Sequence, residues 1–206
     1  MAEPAPQQAR TLEFWFEFGS TYSYLSAMRI EDCAAAAGVA LIWRPFLLGP
    51  VFRSLGWETS PFVLQEAKGR HMWRDMEREA ARLGLPFRRP SAFPRTALRP
   101  MRVATLGAAE PWIGAYCRRV MLSNWALDRD IDNQETVLDA LDGLVPDPAQ
   151  VVAAALSPAN KLRLRERTEE AEARGIFGAP SFFVGDELFW GNDRLEAALA
   201  LARAGA

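Results

Sequence analysis

Apolar and polar positions change their spacing along the chain, and each spacing predicts a different element. Over residues 12–18, apolar and aromatic side chains alternate with Glu13 and Glu17, and this period of two predicts a β-strand. Residues 22–37 carry small and apolar side chains at helical spacing and lead to Gly38, a residue that favours the end of a helix. The N-terminal part is therefore predicted as a strand followed by a helix.

Three further apolar runs predict strands. Residues 39–46 form the first, which gives a β–α–β unit whose two strands are expected to lie parallel. Residues 181–184 and 187–190 flank a Gly-Asp turn, which is the pattern of a β-hairpin. A last helix is predicted over residues 194–204.

The middle of the chain has helical spacing and no strand signal. The helices predicted there span residues 61–84, 98–107, 111–127, 133–142, 147–156 and 158–174. The order βαβ, helices, ββα predicts an α/β fold in which residues 12–50 and 175–206 form one domain and residues 51–174 an all-helical insertion. Residues 1–11 are predicted as a loose N-terminal tail.

Composition limits the functions open to this chain. Half of its 206 residues are hydrophobic, enough for a sizeable core, and its net charge of −2 gives no general attraction to nucleic acid or to an anionic membrane. No apolar run approaches the roughly 20 residues that span a bilayer. The expected partners are therefore small molecules, with no nucleic acid and no membrane.

The cysteine and histidine content favours a reducing compartment and argues against a metal. Cys33 and Cys117 lie far apart inside helical patterns and are predicted to be buried free thiols, which fits a cytoplasmic protein. The single histidine, His71, argues against a histidine-rich metal site and against a histidine-based catalytic triad. No metal is expected.

Ser20 lies between the first predicted strand and the first predicted helix. Backbone N–H groups are unpaired at such a junction and the helix dipole is positive, so an anion such as a thiolate is favoured there. A hydroxyl adds a hydrogen bond to the charged group worth roughly 1.5–3 kcal/mol, which lowers the pKa of a thiol by about one to two pH units. The alternative is that Ser20 only caps the helix.

In thioredoxin-like redox proteins the same junction carries Cys-x-x-Cys, and here the two positions are Ser20 and Ser23. Because serine cannot form a disulfide, the site is predicted to hold the thiol of another molecule, and dithiol–disulfide exchange is disfavoured. In such folds a cis-proline, here Pro180 after Ala179, exposes backbone groups that pair with a bound peptide. A plain loop proline is the alternative.

Three charged residues are further candidates for ligand binding. Asp193, near a predicted helix start, can accept a hydrogen bond from an ammonium group, and Arg194 can donate a forked pair to a carboxylate. Lys68 lies on a predicted helical face. Each has a structural alternative, which is capping for Asp193 and a solvent-facing position for the two basic residues.

Six motifs occur in a fixed order along residues 12 to 203. They are Phe16 to Leu25, Trp43 to Pro50, Met72 to Arg78, Gly84 to Phe87, Gly175 to Phe182 and Trp190 to Leu195. As a set they resemble the 2-hydroxychromene-2-carboxylate isomerases, relatives of kappa-class glutathione transferases and of DsbA. The resemblance implies a thioredoxin domain with a helical insertion, a homodimer, and glutathione as the bound thiol.

The resemblance also implies roles for the candidate residues. Ser20 corresponds to the catalytic serine of the family, which hydrogen-bonds the glutathione sulfur. Lys68 corresponds to a lysine near the glutathione carboxylate, and Ala179 to the residue whose backbone pairs with the cysteinyl part. Asp193 and Arg194 correspond to the pair that holds the γ-glutamyl end.

The implied reaction interconverts 2-hydroxychromene-2-carboxylate and trans-o-hydroxybenzylidenepyruvate, in the breakdown of naphthalene-like aromatic compounds. It would proceed by reversible addition of the thiolate to the conjugated system, rotation about the bond made single, and elimination. The expected substrate is a small aromatic carboxylic acid, held in a cleft rich in Trp and Phe under the helical insertion.

Glu58 departs from the family pattern, because an asparagine that helps to hold glutathione usually occupies this position. A carboxylate would repel the anionic tripeptide unless Lys68 or Arg53 offsets it. Two other functions therefore stay open. One is a kappa-like glutathione transferase that conjugates electrophiles, and the other is a non-catalytic binding protein that kept the fold and lost glutathione.

Overall fold

The chain folds around a four-stranded mixed sheet. The computed structural model describes residues 10–205, so residues 1–9 of the predicted tail lie outside the described residues. The strands are β1 Thr11–Phe16, β2 Ala40–Pro45, β3 Ser181–Val184 and β4 Glu187–Trp190, in the order β2-β1-β3-β4. β1 and β2 run parallel, and β3 is antiparallel to both β1 and β4. The predicted α/β order is confirmed.

The remaining elements are helices, most of them between β2 and β3. They are α1 Thr21–Ala27, α2 Ile30–Ala37, α3 Leu48–Ser54, α4 Pro61–Leu64, α5 Glu66–Arg82, α6 Leu98–Leu106, α7 Ile113–Trp125, α8 Gln134–Leu141, α9 Pro148–Ala155, α10 Pro158–Ala173, a 3₁₀ turn Asn192–Arg194 and α11 Leu195–Ala204. Within residues 10–205, no helix is long and apolar enough to cross a bilayer. The same residues contain no group of three side chains placed to hold a metal ion.

The single helix predicted over residues 22–37 is in fact two helices, with a break between Ala27 and Ile30. Arg29 lies at the break, and its guanidinium donates to the backbone and side-chain oxygens of Asn192, each at 3.0 Å. The break therefore serves a contact with a residue far away in sequence, which periodicity along the chain cannot reveal.

Helix α3 is absent from the elements predicted above, because a Gly-Pro pair such as Gly49-Pro50 is typical of a turn that ends a strand. Both residues lie in the first turn of α3. A proline is tolerated there, since the first N–H groups of a helix have no partner within the helix. β2 ends at Pro45 and α3 begins at Leu48, so the Gly-Pro pair lies within a helix.

β1 is the centre of the core because both of its faces are covered. Alternate side chains of a strand point to opposite faces. On one face Phe14 stacks on Phe16 and Phe182, with ring centroids 5.1 and 5.6 Å apart. On the other, Trp15 packs edge-on against Phe183 at 6.3 Å. This burial fixes the C-terminal end of β1, from which the turn carrying Ser20 continues.

Candidate active site

A cavity of about 1210 Å³ opens beside the C-terminal end of β1. Its wall is formed by the turn before α1, the segment from α3 to α5, the connector before α6, the residues before β3 and the turn after β4. The predicted site residues in this wall are Ser20, Lys68, Ala179, Asp193 and Arg194. Pro180 is buried and is not part of the wall.

Two side chains of α7 hold the turn that carries Ser20. The Asn124 amide and the Trp125 indole N–H both donate to the Phe18 carbonyl, each at 3.1 Å. The Ser20 N–H donates to the Glu17 carbonyl at 3.1 Å and closes the turn. Because the Phe18 carbonyl is bound by α7, it is not available to a neighbouring strand. β1 therefore ends at Phe16, two residues before the end predicted from the alternation of side chains.

The Ser20 hydroxyl joins two elements of the cavity wall. It accepts a hydrogen bond from the Ser23 N–H at 3.3 Å, as the N-cap of α1, and donates to the Ala179 carbonyl at 2.8 Å. Ser20 is 8% exposed, at the cavity surface. Because a hydroxyl hydrogen rotates to suit its partner, this proton can turn from Ala179 toward a ligand without movement of the backbone.

α1 contains only seven residues, fewer than the predicted helix. A helix of two turns has a small dipole, and its effect on a nearby charge falls off within the first turn. The hydroxyl of Ser20, more than the helix end, is therefore the group that can stabilise an anion at this point of the wall.

The peptide bond between Ala179 and Pro180 is cis. The Pro180 carbonyl accepts from the Gly191 N–H at 3.0 Å, and the Ser181 hydroxyl donates to the Gly178 carbonyl at 2.9 Å. These bonds fix the backbone on both sides of Ala179. The predicted pairing of Ala179 with a peptide ligand stays a prediction.

Asp193 and Arg194 lie in the 3₁₀ turn after β4, which the buried Asn192 anchors. The Ser26 hydroxyl donates to the Asn192 side-chain oxygen at 3.0 Å, beside the bonds from Arg29. Asp193 and Arg194 are 71% and 57% exposed and form an ion pair at 3.1 Å. Both charges are thus accessible from the cavity.

Lys68 lies in the first turn of α5 and is exposed. Its ammonium is 6.0 Å from the centroid of the Phe62 ring, within the range of a cation–π contact. Within the part of the chain that the structure describes, Lys68 forms no ion pair within 4.0 Å. It is therefore available to a ligand carboxylate.

Sequence reasoning missed Glu17 and Tyr22 in the cavity wall. Burial raises the pKa of Glu17 to about 7, against the opposing effect of the Gly19 N–H. Tyr22 donates to the Asp75 carboxylate at 2.9 Å, and burial together with that carboxylate raises the pKa of Tyr22. Glu17 carried no sequence signal, because an acidic residue in an alternating strand is typical of a solvent-facing position.

Aromatic side chains cover several parts of the wall, as the predicted cleft rich in Trp and Phe requires. Phe177 and Trp190 lie 4.9 Å apart and are 44% and 50% exposed. Phe52 and Trp57 lie 5.7 Å apart in the segment after β2. These faces can pack against a flat, unsaturated ligand.

Neither cysteine lies in the cavity wall. Cys117 is buried, and burial raises the pKa of its thiol well above the ordinary value. Cys33, predicted to be buried, is only half-buried, because its helix α2 faces the surface along part of its length. No thiol of this chain can therefore act at Ser20.

The sheet, the inserted helices and a cavity with serine at the thiol position define a thioredoxin-fold protein without a redox dithiol. The DSBA-like thioredoxin domain family matches residues 11–201. The chain is 30% identical to the 2-hydroxychromene-2-carboxylate isomerase of Sphingobium xenophagum over 193 residues, which cover 91% of this chain and 95% of that protein. The chain belongs to the DSBA-like thioredoxin family and, within it, to the family of these isomerases.

Two further comparisons agree with this placement. The solved structure of a selenomethionine 2-hydroxychromene-2-carboxylate isomerase superposes with a TM-score of 0.83 at 27% identity, covering 94% of this chain and 95% of that chain. Glutathione S-transferase kappa 2 of Caenorhabditis elegans is 27% identical, covering 90% of this chain and 88% of that protein. The chain is thus related to isomerases and to a glutathione S-transferase.

Proposed function

We propose that this protein is a glutathione-dependent isomerase that interconverts 2-hydroxychromene-2-carboxylate and trans-o-hydroxybenzylidenepyruvate. The observation that carries the proposal is the Ser20 hydroxyl, at the cavity surface and 2.8 Å from the Ala179 carbonyl. A serine replaces the thiol where the fold places a reactive sulfur, while the relatives in this family are isomerases.

The wall residues fit glutathione in the following way. Ser20 and the Ala179 backbone would hold the cysteinyl part, Lys68 a carboxylate, and Asp193 and Arg194 the γ-glutamyl end. Among residues 10–205 Lys68 forms no ion pair. Asp193 and Arg194 pair with each other at 3.1 Å but are largely exposed, so a ligand can reach both charges. Pro180 would act only through Ala179, since it is buried outside the wall.

The cavity also has room for a second molecule. Its volume of about 1210 Å³ exceeds the roughly 300–1,000 Å³ typical of a site for one small ligand. Glutathione, when bound there, would supply a thiolate for reversible addition to the conjugated system of the substrate. Ser20 turns its hydroxyl hydrogen from Ala179 to the sulfur, and the pairs Phe52–Trp57 and Phe177–Trp190 hold the aromatic acid.

Replacing Ser20 with alanine tests the proposal. A hydrogen bond to a charged group is worth roughly 1.5–3 kcal/mol, so Ser20→Ala should lower kcat/KM for the isomerisation by about 10- to 100-fold. The readout is the absorbance change of the conjugated substrate in the presence of glutathione.

The control is Ser157→Ala, because Ser157 caps α10 with the same 3.3 Å bond to the third residue on and lies outside the cavity wall. Both variants lose a helix cap, which costs about 1 kcal/mol of stability. Only Ser20→Ala should lose turnover. Equal turnover in the two variants would refute a catalytic role for Ser20.

Conjugation of electrophiles is the second candidate, favoured by the relationship to the kappa transferase. The test is an assay of the wild-type protein with glutathione and an aromatic halide. Consumption of both, with no conversion of the chromene, would show a transferase and not an isomerase. Calorimetric titration with glutathione addresses Glu58, which lies exposed in the wall. An absence of binding would leave a non-catalytic binding protein.

We also infer a cytoplasmic homodimer, from relationship alone. Light scattering on the purified protein should give twice the chain mass of 22.9 kDa. A mass of a single chain at micromolar concentration would contradict the dimer and would leave the isomerase proposal untouched, since all the proposed site residues come from one chain.

A further inference from the structure

Glu17 is a carboxylate of the cavity wall to which the proposed function gives no role. It follows β1 directly and stands three residues before Ser20, whose N–H donates to the Glu17 carbonyl at 3.1 Å. Its side chain is half-buried and reaches the cavity. The turn thus brings a carboxyl group to the same cavity wall as the hydroxyl proposed to meet a sulfur.

The Glu17 carboxyl group lies close over the backbone that precedes Ser20. A methyl group added to Gly19 would lie 3.1 and 3.4 Å from the two carboxylate oxygens and 3.0 Å from the Arg95 carbonyl. At such distances the Glu17 carboxyl group would have to move by a few tenths of an ångström to admit a side chain at residue 19. Glycine at this position therefore lets the carboxyl group pack closely on the turn that carries Ser20.

The carboxyl group has no cationic partner in the described part of the chain. Among residues 10–205, no lysine, arginine or histidine nitrogen lies within 4.0 Å of it. The Arg95 guanidinium, on the neighbouring connector, is bound to Asp128 at 2.6 Å. The other charged or titratable wall residues are Tyr22, Glu58, Lys68, His71, Asp75, Glu79, Arg82, Asp193 and Arg194. Burial without a counter-charge favours the protonated acid.

We propose that Glu17 is the proton acceptor for the glutathione thiol, an inference that rests on the proposed function. The S–H bond breaks, its electron pair stays on sulfur, and an O–H bond forms on the Glu17 carboxylate. Ser20 then donates its hydrogen bond to the anionic sulfur. The proton returns from Glu17 to sulfur when glutathione leaves, so the exchange needs no further reactant.

The proton affinities of the two groups match. An ordinary thiol has a pKa near 8.5, and a hydrogen bond from Ser20 would lower it by about one to two pH units. The pKa of Glu17 is about 7 because of burial. Transfer between groups of similar pKa is close to balanced, and a protonated Glu17, unlike an ionised one, does not repel the thiolate.

The test counts protons and thiolate separately. Calorimetric titration with glutathione in two buffers of different ionisation enthalpy gives the protons released, and ultraviolet absorbance gives the thiolate formed. At a pH about one unit above the pKa of Glu17, most of this acid is ionised before binding. Because a thiolate and a carboxylate at one site repel each other, the pair should keep one shared proton after binding even at this pH. Wild-type protein should therefore form thiolate and release well under half a proton for each thiolate.

Glu17→Gln should release close to one proton for each thiolate formed, at least a twofold rise in the ratio. Glu79→Gln, which removes the same charge from the same wall, should keep the wild-type ratio. A wild-type ratio of one would overturn the inference even if Glu17→Gln does not fold. So would equal ratios in wild type and Glu17→Gln.

The two proposals fail differently. Wild-type protein that binds no glutathione, or binds it without thiolate absorbance, would overturn the proposed function and this inference with it. Wild-type protein that binds glutathione as thiolate, with one proton released, would overturn the role of Glu17 alone and leave Ser20 in place.

Discussion

At the scale of single residues, the Ser20 hydroxyl is already oriented before any ligand arrives. One of its two acceptor lone pairs is used by the Ser23 N–H, and its proton is donated to the Ala179 carbonyl. A ligand sulfur would therefore displace only the bond to Ala179. A donor fixed in this way needs little reorganisation, which is the property that makes electrostatic stabilisation effective in enzymes.

Glu17 should make the stability of the protein depend on pH. Its pKa of about 7 in the folded state lies above the ordinary 4.5. The folded state therefore binds the proton more tightly, and this contribution to stability is complete below about pH 4.5 and is lost as pH rises to about 7. In Glu17→Gln this decrease in the free energy of unfolding between about pH 4.5 and pH 7 should be absent.

The measurement is the free energy of unfolding by urea at several pH values. The difference between Glu17→Gln and wild type should grow between about pH 4.5 and pH 7 by up to roughly 3 kcal/mol, and stay constant above. Parallel curves for the two proteins would show that Glu17 has an ordinary pKa.

At the scale of elements, the close approach of α4 and α5 shapes one side of the cavity. A methyl group on Gly69 would lie 2.2 Å from the Phe62 carbonyl, which belongs to the backbone and cannot rotate away. Gly69→Ala should therefore displace α4, with Phe62, from the wall. We expect weaker binding of glutathione, by several-fold, in calorimetric titration.

Gly49→Ala is the matched control for this prediction. Gly49 lies in α3 and also lines the cavity, but an added methyl group would meet only the flexible Arg53 side chain at 3.6 Å. An alanine there should leave binding unchanged and favour the helix by up to about 1 kcal/mol. Equal affinities in both alanine variants would contradict the role of the Gly69 contact.

Asp128 holds the connector before α6, which forms another side of the cavity. Its carboxylate accepts from the Ser91 N–H at 2.8 Å and from Arg95 at 2.6 Å, and these bonds lower its pKa to about 2. Asp128→Asn keeps a residue that tolerates the backbone φ of 55° at this position. It should loosen residues 91–97 and speed their hydrogen exchange.

The contribution of Asp128 to stability should decrease as the pH falls. A lowered folded pKa contributes stability above the ordinary value of 3.8, and this contribution is lost as pH falls toward 2. Slow exchange in the connector of the wild type should therefore be lost in acid. Glu169→Gln, in an exposed pair on α10, should leave exchange in the connector unchanged.

At the scale of the whole molecule, the cavity joins parts of the chain that are distant in sequence. Ser20 and Ala179 belong to the sheet region, whereas Phe62 and Lys68 belong to the inserted helices. A ligand that contacts both sides binds the folded state alone and must stabilise it.

Glutathione at 100 times its dissociation constant should raise the unfolding free energy by about 2.7 kcal/mol. For a chain of this size that corresponds to a Tm increase of roughly 5–10 °C. Hydrogen exchange should slow in residues 57–68 and 177–194 together. Slowing on one side only would show that the ligand does not bridge the two parts.

The amino-acid sequence by itself determined the strands, the hairpin and the position of Ser20 at a strand–helix junction. These features depend on spacing between neighbouring residues, such as the alternation over residues 12–18 and the Gly-Asp turn between β3 and β4. Local hydrogen bonding and side-chain direction follow from that spacing alone. The six sequence motifs were sufficient to indicate the family.

Only the tertiary structure decided where β1 ends, where the first helix breaks and what surrounds Glu17. The Phe18 carbonyl is bound by α7, and Arg29 is bound by Asn192. The Glu17 carboxyl group is half-buried at the cavity, where the described part of the chain places no counter-charge within 4.0 Å. Each outcome depends on partners remote along the chain. Burial and the supply of hydrogen-bond partners are properties of the packed molecule, and no local spacing encodes them.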